Sequence, residues 1–196
     1  MATADLYRLA GVSSWIALVA LVLSGIALAL FFGGAGDAWG PVNDALIVVT
    51  AIALIPTVAA VARMAGDRGA PWVAVVSVAA AAGLILIAVG QTLLIVGRLS
   101  LDGSYVTGGI GVVPFLAWIV LVAVLGLTLG VLPSRTGWLA LASIVAIVVF
   151  SITAAITLGP LLWVEAVVML AVIGLWLASL TTAFVDGVVV ARAAAV

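Results

Sequence analysis

Histidine, cysteine and lysine are all missing from this chain of 196 residues, and each absence removes a chemistry. Without histidine there is no imidazole base and no ordinary axial ligand for a haem or chlorin. Without lysine there is no Schiff base to retinal or pyridoxal. Without cysteine there is no disulfide, thiolate nucleophile or thiolate metal site, so the redox compartment is not legible. Charge is scarce as well: 7% of residues are charged, against roughly 25% in an ordinary soluble domain. Six basic residues and a formal net charge of −1 give nucleic acid nothing to bind, since that binding runs on neutralised phosphates. No cofactor is expected.

What remains is apolar. Hydrophobic residues make up 68% of the chain, and they fall into runs at about 12–32, 45–62, 72–97, 110–132, 138–158 and 161–185, each bounded by glycine, proline or charge. A membrane-spanning helix needs about 20 apolar residues, so these runs predict an all-α, polytopic membrane protein: a single six-transmembrane-helix bundle with short loops over 1–196. Nearly the whole length is consumed by membrane, and any function must sit in the bundle or its loops. The first run is too long for a secretory signal, and its basic end is only Arg8, so it reads as a true span.

Basic residues stay on the cytoplasmic side of short loops. In a six-span chain Arg8, Arg63, Arg68, Arg135 and Arg192 share one side and Arg98 alone falls on the other, which predicts cytoplasmic N and C termini. Trp15, Trp72 and Trp138 would then lie near the inner boundary, with Trp39 and Trp163 near the outer one, as in an interfacial belt. The composition, rich in Ala, Val, Gly and Arg, suggests the plasma or inner membrane of a prokaryote, bacterial or archaeal.

That topology places GGAGDAWGPVND and RLSLDGSYVTGG outside as the longer loops, with Asp37, Asn43, Asp44, Arg98, Asp102, Tyr105 and Glu165 gathered there. A site, on this reading, opens outward. Glu165 lies inside the sixth apolar run, where an ionised carboxylate is costly unless it is paired or reaches water. Pro160 suits the first helical turn before it. An acid near a helix N-terminus is stabilised by the dipole and reaches up to the headgroups. The functional reading is that it faces the bundle, because Glu165, Met169, Val172, Trp176 and Ser179 share one helical face. Its expected partner is Arg98, beyond Gln91 on span three. Asn43 and Asp44 read as the N-cap of span two, with Pro41 directing the chain into it. Glu165, Arg98, Gln91, Asp44, Asn43, Asp102 and Trp176 form the candidate ligand-binding set. A hard-cation site from Asp37, Asp44, Asp102 and Glu165 has suitable oxygens but no supporting loop spacing, so no metal is expected.

Small residues let backbones approach where lipid supplies no drive between helices. Gly83, Gly90 and Gly97 recur every seventh residue along span three, which is therefore expected at the centre of the bundle; span four holds the GxxxG of Gly126 and Gly130. Pro56 and Pro114 lie inside spans two and four, where each removes a backbone donor.

Enzyme readings fail. DGVVVAR, Asp186 to Arg192, resembles the DGxxAR start of the CDP-alcohol phosphotransferases, but it carries one residue too many, and no further aspartate follows it. The metal-holding set of that family is incomplete, and the match is rejected. An aspartyl membrane protease needs two carboxylates within reach, whereas Asp44 and Asp186 are expected on opposite sides of the membrane. The sequence therefore predicts a non-enzymatic protein that binds a lipid or other apolar ligand, or serves as a subunit of a larger membrane assembly. The alternative is a small-solute transporter or channel with an outward-facing polar vestibule, as six spans divide into two threes. Expected partners are membrane lipids and either further copies of the chain or a larger complex.

Overall fold

The computed structural model describes residues 3–68, 70–156 and 160–193 of the chain. They form six α-helices: α1 (Thr3–Phe32), α2 (Trp39–Asp67), α3 (Val73–Ile95), α4 (Leu101–Leu127), α5 (Ser134–Ile156) and α6 (Pro160–Ala193). All six are long and apolar enough to cross a membrane. The link at 157–159 and the C-terminal residues 194–196 lie outside the described residues.

All the helices but α3 begin before their apolar stretch, because backbone hydrogen bonding continues wherever residues tolerate helical geometry, whatever their polarity; α3 stays within its run of 72–97. The largest differences fall at α2 and α4. RLSLDGSYVTGG, expected as a loop, is mostly helix: Ser100 caps α4 by accepting a hydrogen bond from the Gly103 N–H at 3.1 Å, and Asp102 sits in the first turn, where the dipole favours an acid. GPVND is likewise the first turn and a half of α2, with Pro41 placed where a missing N–H costs nothing. Asn43 and Asp44 are therefore not the N-cap; Ala38 holds that position without a side-chain hydrogen bond.

Each helix packs on its neighbours in the chain, and α6 closes back onto α1. The result is a ring of six antiparallel helices, with α3 between α2 and α4 and opposite α6. The central place expected for α3 is thus incorrect. Its glycine stripe serves one seam instead: a Cβ on Gly83 would collide with the carbonyl oxygen of Gly111 on α4, and one on Gly90 would lie 2.5 Å from Thr107 Oγ1. The GxxxG of α4 also divides. Gly126 meets the backbone of Gly137 on α5, whereas Gly130 has φ +60 and turns the chain after α4.

Apolar side chains on the outward faces of all six helices are exposed, Trp15, Trp72, Trp138 and Trp163 among them. Inside, Trp118, Trp176, Phe184, Leu125 and Leu180 make the core. Interhelical hydroxyl pairs tie the ring where side chains are small: Ser14 to Thr57 at 2.9 Å between α1 and α2, and Thr136 to Ser179 at 2.6 Å between α5 and α6.

Candidate functional site

The polar residues sort into two ends and a waist. At the end that holds the α1–α2 and α3–α4 links, Asn43 is buried and its Oδ1 accepts from Ser24 Oγ at 2.6 Å, while its Nδ2 donates to Asp44 Oδ1 at 3.4 Å. Asn43 is therefore an α1–α2 tether rather than a cap, and it brings the half-buried Asp44 with it. Gln91 and Glu165 are half-buried, and Gln91 Oε1 and Glu165 Oε2 are each shielded from solvent with no hydrogen-bond donor among the described residues. Glu165 does share its face with the protein interior: Met169 and Val172 are half-buried and Trp176 and Ser179 buried, whereas Val164, Val167, Val168 and Leu175 are exposed.

The expected partnership of Glu165 with Arg98 does not form. Among the described residues the one ion pair is Arg63 to Asp67 at 3.3 Å, four residues apart on α2. Two features separate the pair. Helices α3 and α6 stand on opposite arcs of the ring, and the left-handed Gly97 (φ +68) turns the chain at the end of α3, leaving Arg98 exposed. Asp102 is exposed on the first turn of α4 and is not joined to Arg98 either. Trp176 belongs to neither end. It lies in the core, edge-on to Trp118 with ring centroids 6.0 Å apart. Among the described residues no three acidic side chains converge as a metal site would require.

A cleft lies at the other end, where the chain begins. It measures about 550 Å³ and lies between α1, the end of α2, the α4–α5 link and α6. Its walls are apolar at Met64, Val131, Leu132 and Ala183, and polar at Tyr7, Asp67, Arg68 and Asp186. Local sequence explains the shape. The left-handed turn at Gly130 folds Val131 and Leu132 back under the bundle, where both are buried and their N–H groups return to the Leu125 carbonyl. The Arg68 guanidinium donates to the Gly130 carbonyl and fastens this link to α2. The Tyr7 ring rests on Gly187, where a Cβ would lie 3.1 Å from Tyr7 Cδ2, and thereby brings α1 and α6 together beside Asp186.

No family model matches the chain, and no curated protein or solved structure matches it significantly. The site therefore rests on its own chemistry.

This cleft lies at the end of the bundle opposite Asn43, Asp44, Gln91 and Glu165, the residues from which the sequence reading built its site. RMAGDRGAP and PSRTG pass for ordinary arginine-flanked turns when read singly. A signal was present nonetheless, because Tyr7, Asp67, Arg68 and Asp186 come from three helices and fall on one side of any six-span topology. What sequence did not show is that the α4–α5 link tucks inward to give them a floor.

Proposed function

We propose that the protein is a non-enzymatic bundle, held in a membrane, that binds an amphiphile with a zwitterionic, phosphate-bearing headgroup in the cleft beside Arg68. The reading is carried by the pairing of an apolar floor with an ionic rim in one volume. About 550 Å³ falls within the range of ligand pockets, roughly 300–1,000 Å³. Arg68 offers guanidinium donors, which match phosphate oxygens in a planar fork. Asp186 offers an acceptor for a headgroup amine, and Met64 and Leu132 give the first methylenes an apolar surface. Asp67 is already engaged by Arg63, which leaves Arg68 and Asp186 as a balanced pair of opposite charge.

The test is native mass spectrometry of the detergent-purified protein titrated with phosphatidylethanolamine. Arg68→Gln should weaken binding about tenfold, equivalent to roughly 1.4 kcal/mol, because it removes a charged hydrogen bond; Asp186→Asn should act more on ethanolamine than on glycerol headgroups. Both side chains are exposed; Asp186→Asn should melt like the parent, and Arg68→Gln somewhat below it because it also gives up the bond to the Gly130 carbonyl. Parental affinity in both variants would end the proposal.

A transporter reading draws on the half-buried Asp44, Gln91 and Glu165 at the opposite end. It needs a polar route between the ends, and at the waist Trp118 and Trp176 close the ring, so the geometry favours binding over passage. The subunit role has less support, because exposed apolar side chains are spread over all six helices rather than concentrated on one face.

The same proposal sets the cleft on the cytoplasmic side, as Arg8, Arg63, Arg68 and Arg135 lie at that end and Arg98 at the other. A reporter that works only in the cytoplasm should be active when fused after Val196. Activity of a reporter that works only outside would reverse the orientation.

A further inference from the structure

Tyr7 is 5% exposed, yet its oxygen is not sealed in. Among the described residues the side-chain polar atoms shut away from solvent without a partner are Ser77 Oγ, Gln91 Oε1, Trp118 Nε1, Glu165 Oε2 and Trp176 Nε1. The Tyr7 hydroxyl is not one of these and makes no hydrogen bond within the described residues, so it keeps access to open space. That space is the cleft it lines. A buried tyrosine usually finds a partner for its hydroxyl, and phenylalanine would pack as well without needing one.

The ring is held between two helices. A Cβ on Gly187 would lie 3.1 Å from Tyr7 Cδ2, 3.2 Å from Tyr7 Cε2 and 3.7 Å from Met64 Cε, so one edge of the phenol and the tip of Met64 meet at the same point of α6. Cε2 adjoins the ring carbon that bears the hydroxyl, which sets that hydroxyl near the turn of α6 carrying Asp186. Arg68 follows Met64 by four residues (68 − 64), about one helical turn or roughly 6 Å along α2. Tyr7, Arg68 and Asp186 thus line one volume of about 550 Å³. The Arg68 guanidinium gives an N–H to the Gly130 carbonyl and has others to offer, whereas Asp67 is engaged by Arg63.

We infer that Tyr7 is a specificity-determining residue of this cleft, its hydroxyl donating to a phosphate oxygen of the headgroup held at Arg68. The inference rests on the headgroup binding proposed above and adds a contact to it. Arg68 meets one face of a phosphate, which has further oxygens, and the phenol engages one of those. A phenol is protonated at neutral pH, so it donates without disturbing the charge balance of Arg68 and Asp186. A hydrogen bond to an ionised acceptor is roughly twice as strong as one to a neutral acceptor, so Tyr7 favours a phosphate over the bare hydroxyl of a diacylglycerol. Because Gly187 and Met64 already fix the ring, little side-chain freedom is lost when the bond forms.

The experiment is NMR of the full chain in detergent micelles, with tyrosine labelled at ¹³Cζ. The chain has two tyrosines; Tyr105, 71% exposed near the start of α4 at the opposite end, is the internal control, and Tyr105→Phe assigns the pair. Titration with phosphatidylethanolamine should move the Tyr7 signal to saturation and leave Tyr105 in place, whereas diacylglycerol with the same chains should move Tyr7 much less. In native mass spectrometry Tyr7→Phe, which keeps the ring, should weaken phosphatidylethanolamine binding about fivefold, the scale of one hydrogen bond, and leave diacylglycerol binding as in the parent. A Tyr7 signal that stays fixed while phosphatidylethanolamine binds overturns the inference, as does parental affinity in Tyr7→Phe. Equal weakening of both amphiphiles overturns it too, because Tyr7 would then be a packing residue. In each of these cases the cleft at Arg68 stands if Arg68→Gln still weakens binding; parental affinity in Arg68→Gln and Asp186→Asn removes the reading beneath as well.

Discussion

Gly83→Leu should be the most damaging glycine replacement in the chain, lowering stability in mixed micelles by about 3 kcal/mol or more, at or beyond the top of the range for overpacking. The reason is what stands opposite. A Cβ at Gly83 would strike the Gly111 carbonyl and lie 2.7 Å from Pro114 Cγ; one at Gly111 would lie 2.6 Å from the Gly83 carbonyl. Backbone and a proline ring cannot rotate away, so α3 and α4 must separate. Gly90→Leu should cost less, about 1–2 kcal/mol, since the atom it meets is the Thr107 hydroxyl, which has other rotamers. Gly108→Leu, with open space around it, should melt like the parent. Equal melting of the Gly83 and Gly108 variants would mean that α3 and α4 do not meet along this stripe.

Trp118→Ala should be comparably severe, at about 3–5 kcal/mol, the usual cost of deleting a large aromatic side chain from a packed core. Trp118 is 0% exposed, stacked on Phe115 and edge-on to Trp176, so truncation opens a cavity that no single neighbour can fill. Trp138→Ala provides the contrast. Its side chain is 63% exposed on the outward surface, where acyl chains or detergent replace the lost contacts, and the change should stay within about 0.5 kcal/mol. Chemical denaturation of both variants, followed by circular dichroism, separates the two environments. Similar losses would show that the ring does not have Trp118 at its core.

Several features were legible before any fold was known, and for a physical reason: they depend on local periodicity and composition. The apolar runs located all six helices, since length and hydropathy alone decide whether a segment can cross a membrane. Pro160 as the start of the last helix and the inward face of Glu165, Met169, Val172, Trp176 and Ser179 follow from helical geometry within one element. Helix ends were misplaced for an equally local reason. Hydropathy reports where apolar side chains stop, whereas α2 and α4 begin where hydrogen bonding starts, through GPVND and LDGSYVTGG.

Partnerships were a different matter. Arg98 is the only basic residue at the level of Glu165 in a flat topology diagram, yet ring order sets α3 opposite α6, and charge pairing extends only a few ångströms. Asn43 resembled a cap by position and became a tether because Ser24 faces it from α1. The glycines of α3 announced a close approach without saying to which helix, and the mutual contact of Gly83 and Gly111 decided that. By itself, then, the sequence determined that this is a bundle of six membrane-length helices without the residues for imidazole, thiol or Schiff-base chemistry, because those properties are sums over individual residues. Only the tertiary structure decided that the helices close into a ring, that the cleft lies beside Arg68 and Asp186, and that Trp118 and Trp176 meet edge to face in the core. Each of these is a relation between segments distant in the chain, set by which surfaces pack most closely.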